Sequence, residues 1–142
     1  MGGMIGIVIV AHGGLAREYL AAVEHVVGRQ DGIRTIAIMP ECDRPAKKAE
    51  ICRAADEVDE GEGVVVVTDM FGGSPSNLSL PACSPADRKI LYGANLPMLI
   101  KLAKSRTLPV DVAIRRALDA GRKYIDSFDG SEPVAEAAQP AA

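Results

Sequence analysis

Tryptophan is absent from the 142 residues, and aromatic residues make up only 4% of them. Proteins that hold single strands of nucleic acid stack bases on aromatic rings, so that class is poorly supported. Basic residues are not in excess either: 16 Lys and Arg stand against 19 Asp and Glu, a net charge of −3. A phosphate-backbone binder needs a basic face, and Lys47-Lys48 and Arg115-Arg116 read as solvated helix surfaces instead. The cysteines Cys42, Cys52 and Cys83 are odd in number, widely spaced and without a C-x-x-C pair. That pattern suits reduced thiols in the cytosol, not a disulfide framework or a zinc site. No apolar run approaches the roughly 20 residues of a bilayer span, and no basic-then-apolar signal segment opens the chain. The expectation is a cytoplasmic protein with no nucleic-acid partner and no direct hold on a membrane.

Two runs stand out among what is present. Ile5–Val10 is a block rich in β-branched residues followed by Ala11-His12-Gly13-Gly14, and Val64–Val67 is another, followed by Thr68-Asp69-Met70-Phe71-Gly72-Gly73-Ser74-Pro75. Continuous apolar runs suit strands buried on both faces of a parallel sheet. Strands are expected at 4–10, 33–39, 64–68 and 88–92. Helices are expected at 15–27, 44–58, briefly after Ser74, at 96–104, and from 107 or 108 to 124. Gly28 reads as a C-terminal cap, Asp43 as an N-cap with Pro45 behind it, and Ser74 as an N-cap before Pro75. Val110, Ile114, Ala117, Leu118 and Ile125 share one face of the last helix at helical spacing. The fold class is α/β: a doubly wound, mainly parallel sheet of four strands with helices on both faces. The folded domain spans 4–130, residues 1–3 are a leader or cloning remnant, and 131–142, rich in Ala, Pro and Glu, reads as a disordered tail.

In such sheets ligands collect beyond the carboxyl ends of the strands. His12 and Asp69 close two of them, so they are expected side by side, with the carboxylate fixing the imidazole tautomer and leaving the other nitrogen as a nucleophile. Gly72, Gly73 and Ser74 form a turn whose backbone N–H groups suit an anion. No G-x-G-x-x-G or G-x-x-x-x-G-K-[ST] follows the first strand, which weakens nucleotide-fold readings. A phospho-acceptor aspartate would need acidic residues after the first strand to hold Mg²⁺, and that loop is Ala11-His12-Gly13-Gly14. A hydrolase would need a nucleophile elbow, and Ser74 is in none. His25, inside the first helix, reads as a solvated or half-buried helix residue. The alternative from another class is a regulatory module that binds a small anion or nucleotide without covalent chemistry.

Taken together, Ile5–Gly14 with its histidine, Asp69 with Phe71–Asn77, and Gly93-Ala94-Asn95-Leu96-Pro97-Met98 resemble the IIA component of the bacterial phosphoenolpyruvate:sugar phosphotransferase system, mannose (mannose–fructose–sorbose) class. The resemblance runs collinearly from Met4 to about Phe128, with Phe71 where well-known members carry Trp. It implies a phosphocarrier and transferase-type activity. His12 would accept a phosphoryl group from phosphorylated HPr and pass it to a IIB protein on a separate chain, for sugar uptake or as a regulatory signal. Asp69 would orient His12, and Gly72, Gly73 and Ser74 would hold the phosphoryl oxygens, with no metal and no cofactor. Phe71, Leu96, Pro97 and Met98 are expected to form an apolar rim where HPr docks. The family also implies a homodimer, with an antiparallel edge strand exchanged between subunits at 123–128, and a link to the membrane only through a IIC/IID complex.

Overall fold

The computed structural model describes residues 2–70 and 72–131, so Phe71 and the tail from 132 onward lie outside the described residues. Four strands form one sheet in the order β2-β1-β3-β4: β1 Gly6–His12, β2 Ile33–Ile38, β3 Val64–Thr68 and β4 Arg88–Leu91. All three pairings are parallel. Register places His12 opposite Ile38 on one side, and Val10 opposite Thr68 on the other. Order reverses between β1 and β3, because the chain moves outward from β1 to β2 and then outward the other way from β3 to β4.

The β-branched runs are buried on both faces because side chains alternate across the pleat. Ile7, Ile9, Val65 and Val67 point into one core, against Ala16, Val23, Leu99, Leu102, Ala113 and Ala117. Val8, Val10, Val64 and Val66 point into the other, against Ile51, Ala54, Ala55, Val58, Leu78 and Ala82. Helices α1 (Leu15–Val27), α4 (Leu96–Ala103) and α5 (Val110–Lys123) cover the first face. Helices α2 (Arg44–Val58) and α3 (Ser74–Ser79), with a 3₁₀ turn at Leu80–Cys83, cover the second. Removing a fully buried aliphatic side chain from water contributes about 1.5–3 kcal/mol, so each face of the sheet is anchored many times over.

Local signals set most of the boundaries. Gly28 ends α1 at φ 88°, its N–H donating to the Glu24 carbonyl. Asp43 caps α2, its carboxylate accepting the Ala46 N–H at 3.2 Å. Asn95 caps α4 by accepting the Met98 N–H at 3.0 Å, and its amide donates to the Gly121 carbonyl at 2.8 Å, which pins α5 to the start of α4. At the amino end of the sheet the buried Arg106 donates to the carbonyls of Ile5, Asp31 and Gly32, tying β1 to the turn before β2.

Three expectations need correction. Strand β1 runs from Gly6 to His12 where 4–10 was expected, so the histidine is itself the last strand residue. Ser74 does not cap α3: Gly73 holds the cap position, Ser74 is the first helical residue, and no side-chain cap bond forms. Helix α5 stops at Lys123, which leaves Ile125 beyond it and 74% exposed instead of on its buried face. In the single chain Lys123 closes α5 and residues 124–128 carry no strand, so the exchange expected at 123–128 stays a property of a dimer.

Candidate functional site

The site lies at the carboxyl ends of β1 and β3, where strand order reverses and a crevice opens between the outgoing chains. His12 ends β1, and Asp69 immediately follows β3. The parallel register brings them together: Asp69 Oδ2 accepts the His12 ring Nδ1–H at 2.8 Å and the His12 backbone N–H at 3.0 Å. Side-chain exposure differs sharply between the two, 48% for His12 and 11% for Asp69. The carboxylate is therefore sheltered behind an imidazole that faces solvent.

Burial is the largest single influence on Asp69 and works against its ionisation. The backbone and ring hydrogen bonds from His12, its charge, and Asp69's own N–H together outweigh burial and hold the carboxyl below its ordinary value. An ionised Asp69 only accepts hydrogen bonds, so Nδ1 carries a proton, and in the uncharged ring the lone pair is on Nε2. No partner engages Nε2 among the described residues. The other carboxylate oxygen, Asp69 Oδ1, is buried without a partner among those residues, so His12 is the one side chain that answers this charge by hydrogen bond. Behind the pair, Tyr19 donates to the Ala94 carbonyl at 3.1 Å, and burial followed by the Asp69 charge pushes its hydroxyl above the usual tyrosine value.

The glycine turn flanks the imidazole. A Cβ placed on Gly73 would lie 3.4 Å from His12 Cε1, so the backbone here comes as close to the ring as a side chain could without crowding it. Gly72 sits at φ 82°, a left-handed conformation that residues other than glycine adopt at a cost. Ser74 faces the same space, a cleft of about 450 Å³ lined by His12, Gly13, Ile38, Met39, Pro40, Cys42, Arg44 and Ser74. Arg44, the first residue of α2, donates from Nη1 to Ser74 Oγ at 3.3 Å.

His12, Asp69, Gly72, Gly73 and Ser74 are thus brought together as the sequence suggested, while the apolar rim is drawn differently. Met98 is 4% exposed and packs in the core under α4, so it cannot belong to a docking surface. Leu96 is partly buried against the same core, Pro97 is half-buried, and Phe71 lies outside the described residues. Among the described residues, exposed apolar side chains at this site include Met39, in the cleft wall, and Met70, whose side chain lies 3.4 Å from where a Gly73 Cβ would be. Met39 and Arg44 drew no attention in the sequence. Their signal was the strand order, since the chain leaving β2 passes His12 only if β2 lies beside β1. His25 is exposed on α1, away from the cleft lining. Among the described residues no group of three or more His, Cys, Asp or Glu side chains could hold a metal ion, and no helix is long and apolar enough to cross a membrane.

Comparison with known proteins gives a consistent set of relatives. A family model described as PTS system fructose IIA component matches residues 6–117. The PTS system mannose-specific EIIAB component of Escherichia coli (strain K12) is 28% identical over 137 residues, 94% of this chain and 42% of that protein. The chain therefore spans less than half the length of that relative. Among solved structures, phosphotransferase system component EIIA from Streptococcus agalactiae has a TM-score of 0.78 at 28% identity, covering 88% of this chain and 98% of that one. The mannose/sorbose specific IIA subunit from Enterococcus faecalis has a TM-score of 0.80 over 94% of this chain and 99% of its own; at 23% identity it bears on the fold alone.

Proposed function

The chain belongs to the fructose/mannose-class IIA component family of the phosphotransferase system, and from that premise we propose that it is a cytosolic phosphocarrier that takes a phosphoryl group onto His12 Nε2. The donor is phosphorylated HPr and the acceptor a IIB module. In the first step the Nε2 lone pair attacks phosphorus, the P–Nε2 bond forms, and the P–N bond to the donor's histidine breaks. The bonding pair returns to the donor nitrogen. The proton on His12 Nδ1 stays in place, and the positive charge that develops on the ring is met by Asp69. In the second step the same sequence runs toward the acceptor nucleophile.

The observation that carries this reading is the paired hydrogen bonding of His12 to Asp69 Oδ2, which fixes ring orientation and tautomer together. Phosphoryl transfer of this kind asks the protein for positioning and charge stabilisation more than for covalent help. Gly72 and Gly73 allow the backbone close to the incoming oxygens, and Ser74 supplies a hydroxyl. Met39 and Met70 form the exposed apolar rim against which partners seat, since flexible thioether side chains adapt to more than one partner surface. Two copies of the chain associate as a homodimer, and the apolar Tyr124, Ile125 and Phe128 beyond α5 are the surface available for it.

The experiment is incubation with phosphoenolpyruvate, enzyme I and HPr, followed by intact-mass measurement of the wild type and His12→Ala. One acid-labile phosphoryl group on the wild type and none on His12→Ala is the expected result. No mass gain with a competent HPr would replace covalent transfer with reversible anion binding at the same turn.

A further inference from the structure

Several cationic side chains on the strands and on α2 have an acidic partner. Arg34 pairs with Glu57, Lys47 with Glu50, Lys89 with Asp111, and Arg88 with both Asp56 and Asp59. Arg44 differs. It is exposed, it lines the cleft that holds His12, and among the described residues no carboxylate lies within ion-pair distance of it. The neighbouring Asp43 is committed to capping α2. The bond that Arg44 makes is to a neutral hydroxyl, Ser74 Oγ, at the long distance of 3.3 Å. Arginine meets phosphoryl oxygens through short, often bidentate ion-pair bonds, so the guanidinium exchanges this long contact to a neutral hydroxyl readily for a better acceptor.

From this arrangement we infer that Arg44 binds the phosphoryl group of phosphorylated His12, closing the cleft from the α2 side while Gly73 and Ser74 close it from the α3 side. The inference rests on the phosphocarrier reading above. When the P–Nε2 bond forms, the guanidinium leaves Ser74 Oγ for the phosphoryl oxygens, and the freed serine hydroxyl donates to the same group. Arginine keeps its proton throughout, and no bond to it is made or broken. Two consequences follow. The cation stabilises charge on the three equatorial oxygens while phosphorus passes between nitrogens. It also favours the dianionic form of the bound phosphoryl group, which lowers the pH at which that group loses its last proton.

The test uses the full chain as wild type, Arg44→Ala, Arg44→Lys and Arg53→Ala. Arg53 is exposed further along α2, outside the cleft lining, and controls for loss of one positive charge. Phosphorylation by phosphorylated HPr is followed by rapid-quench intact mass, and the phosphohistidine is titrated by ³¹P NMR. Arg44→Ala should be phosphorylated on His12 at least about tenfold more slowly, Arg44→Lys should fall between, and Arg53→Ala should match wild type. The ³¹P titration midpoint of Arg44→Ala should lie above that of wild type. A wild-type rate with an unmoved midpoint overturns the inference. A slower rate with an unmoved midpoint also overturns it, because Arg44 would then be meeting the partner protein and not the phosphoryl group. Failure of the phosphocarrier reading itself looks different, since wild type and every variant would then show no phosphoryl group at all.

Discussion

One carboxylate oxygen, Asp69 Oδ2, holds both the ring Nδ1–H and the main-chain N–H of His12, at 2.8 and 3.0 Å. A single contact to the ring would leave the imidazole free to pivot with the carboxylate. A second contact to the backbone fixes the carboxylate relative to the end of β1, so the ring is oriented against the sheet itself. This follows from parallel pairing of β1 and β3, with Val10 opposite Thr68 and Asp69 one residue further.

Replacing Asp69 by asparagine keeps the size and removes the charge. The amide oxygen can still accept from Nδ1, but the amide can also turn its NH₂ toward the ring and favour the tautomer with its proton on Nε2. Asp69→Asn is expected to slow phosphorylation of His12 by about 100-fold or more, as loss of an orienting aspartate does in other histidine-based sites. Rapid-quench intact mass measures this, and a rate within twofold of wild type removes the orienting role.

The same pair makes stability depend on pH in a defined direction. Asp69 is held below its ordinary value in the folded chain, so the folded state binds fewer protons at this group than the unfolded state does. Its contribution is fully present above the unfolded value of about 3.9 and is lost as pH falls through the lower folded value. In urea unfolding, the stability gap between wild type and Asp69→Asn should shrink as the pH falls from 4 to 2. A gap that widens over that range would mean that the carboxyl is held above its ordinary value.

Gly6 offers a prediction about the fold apart from the chemistry. A Cβ at this position would overlap the main chain of Val58, where the end of α2 crosses the start of β1. Backbone cannot move aside as a flexible side chain does, so Gly6→Ala forces β1 and α2 apart. The expected loss is about 1–3 kcal/mol, the range for overpacking a close-packed interior. Urea unfolding with an unchanged midpoint would mean that the helix end yields without cost.

Legibility in the sequence followed the strength of the local physics. Ile5–Val10 and Val64–Val67 were readable as strands because burial on both faces leaves an unbroken apolar run, and Asp43 and Gly28 marked helix ends through their own backbone chemistry. The pairing of His12 with Asp69 was readable because both end such runs. Arg44 and Met39 were not, because they reach the site only through the placement of β2 beside β1, a tertiary fact with no local trace. Ser74 resembled an N-cap by residue type, yet Gly73 takes that position and leaves the serine hydroxyl for Arg44. Met98 falls on the inner face of α4 with no trace in the pattern, because Leu96–Ala103 is apolar at nearly every position and periodicity does not say which face turns inward.

That last residue separates a core role from a docking role in one experiment. Met98 packs against Gly121, where an added Cβ would come within 3.1 Å of its Cβ and Cε, and it joins the core beneath α4. Met39 is 53% exposed in the wall of the cleft. Truncating Met98 leaves a cavity in the core between α4 and α5, so Met98→Ala should lose about 2–5 kcal/mol of stability. Met39→Ala truncates a side chain that is more than half exposed, and its stability should stay within about 0.5 kcal/mol of wild type. Transfer from phosphorylated HPr should respond in the opposite order: Met39→Ala raises the HPr concentration for half-maximal rate, while Met98→Ala, assayed well below its melting temperature, leaves it unchanged. Urea unfolding and transfer kinetics on the two variants decide it, and a Met98→Ala variant with normal stability but weakened use of HPr would return that residue to the rim.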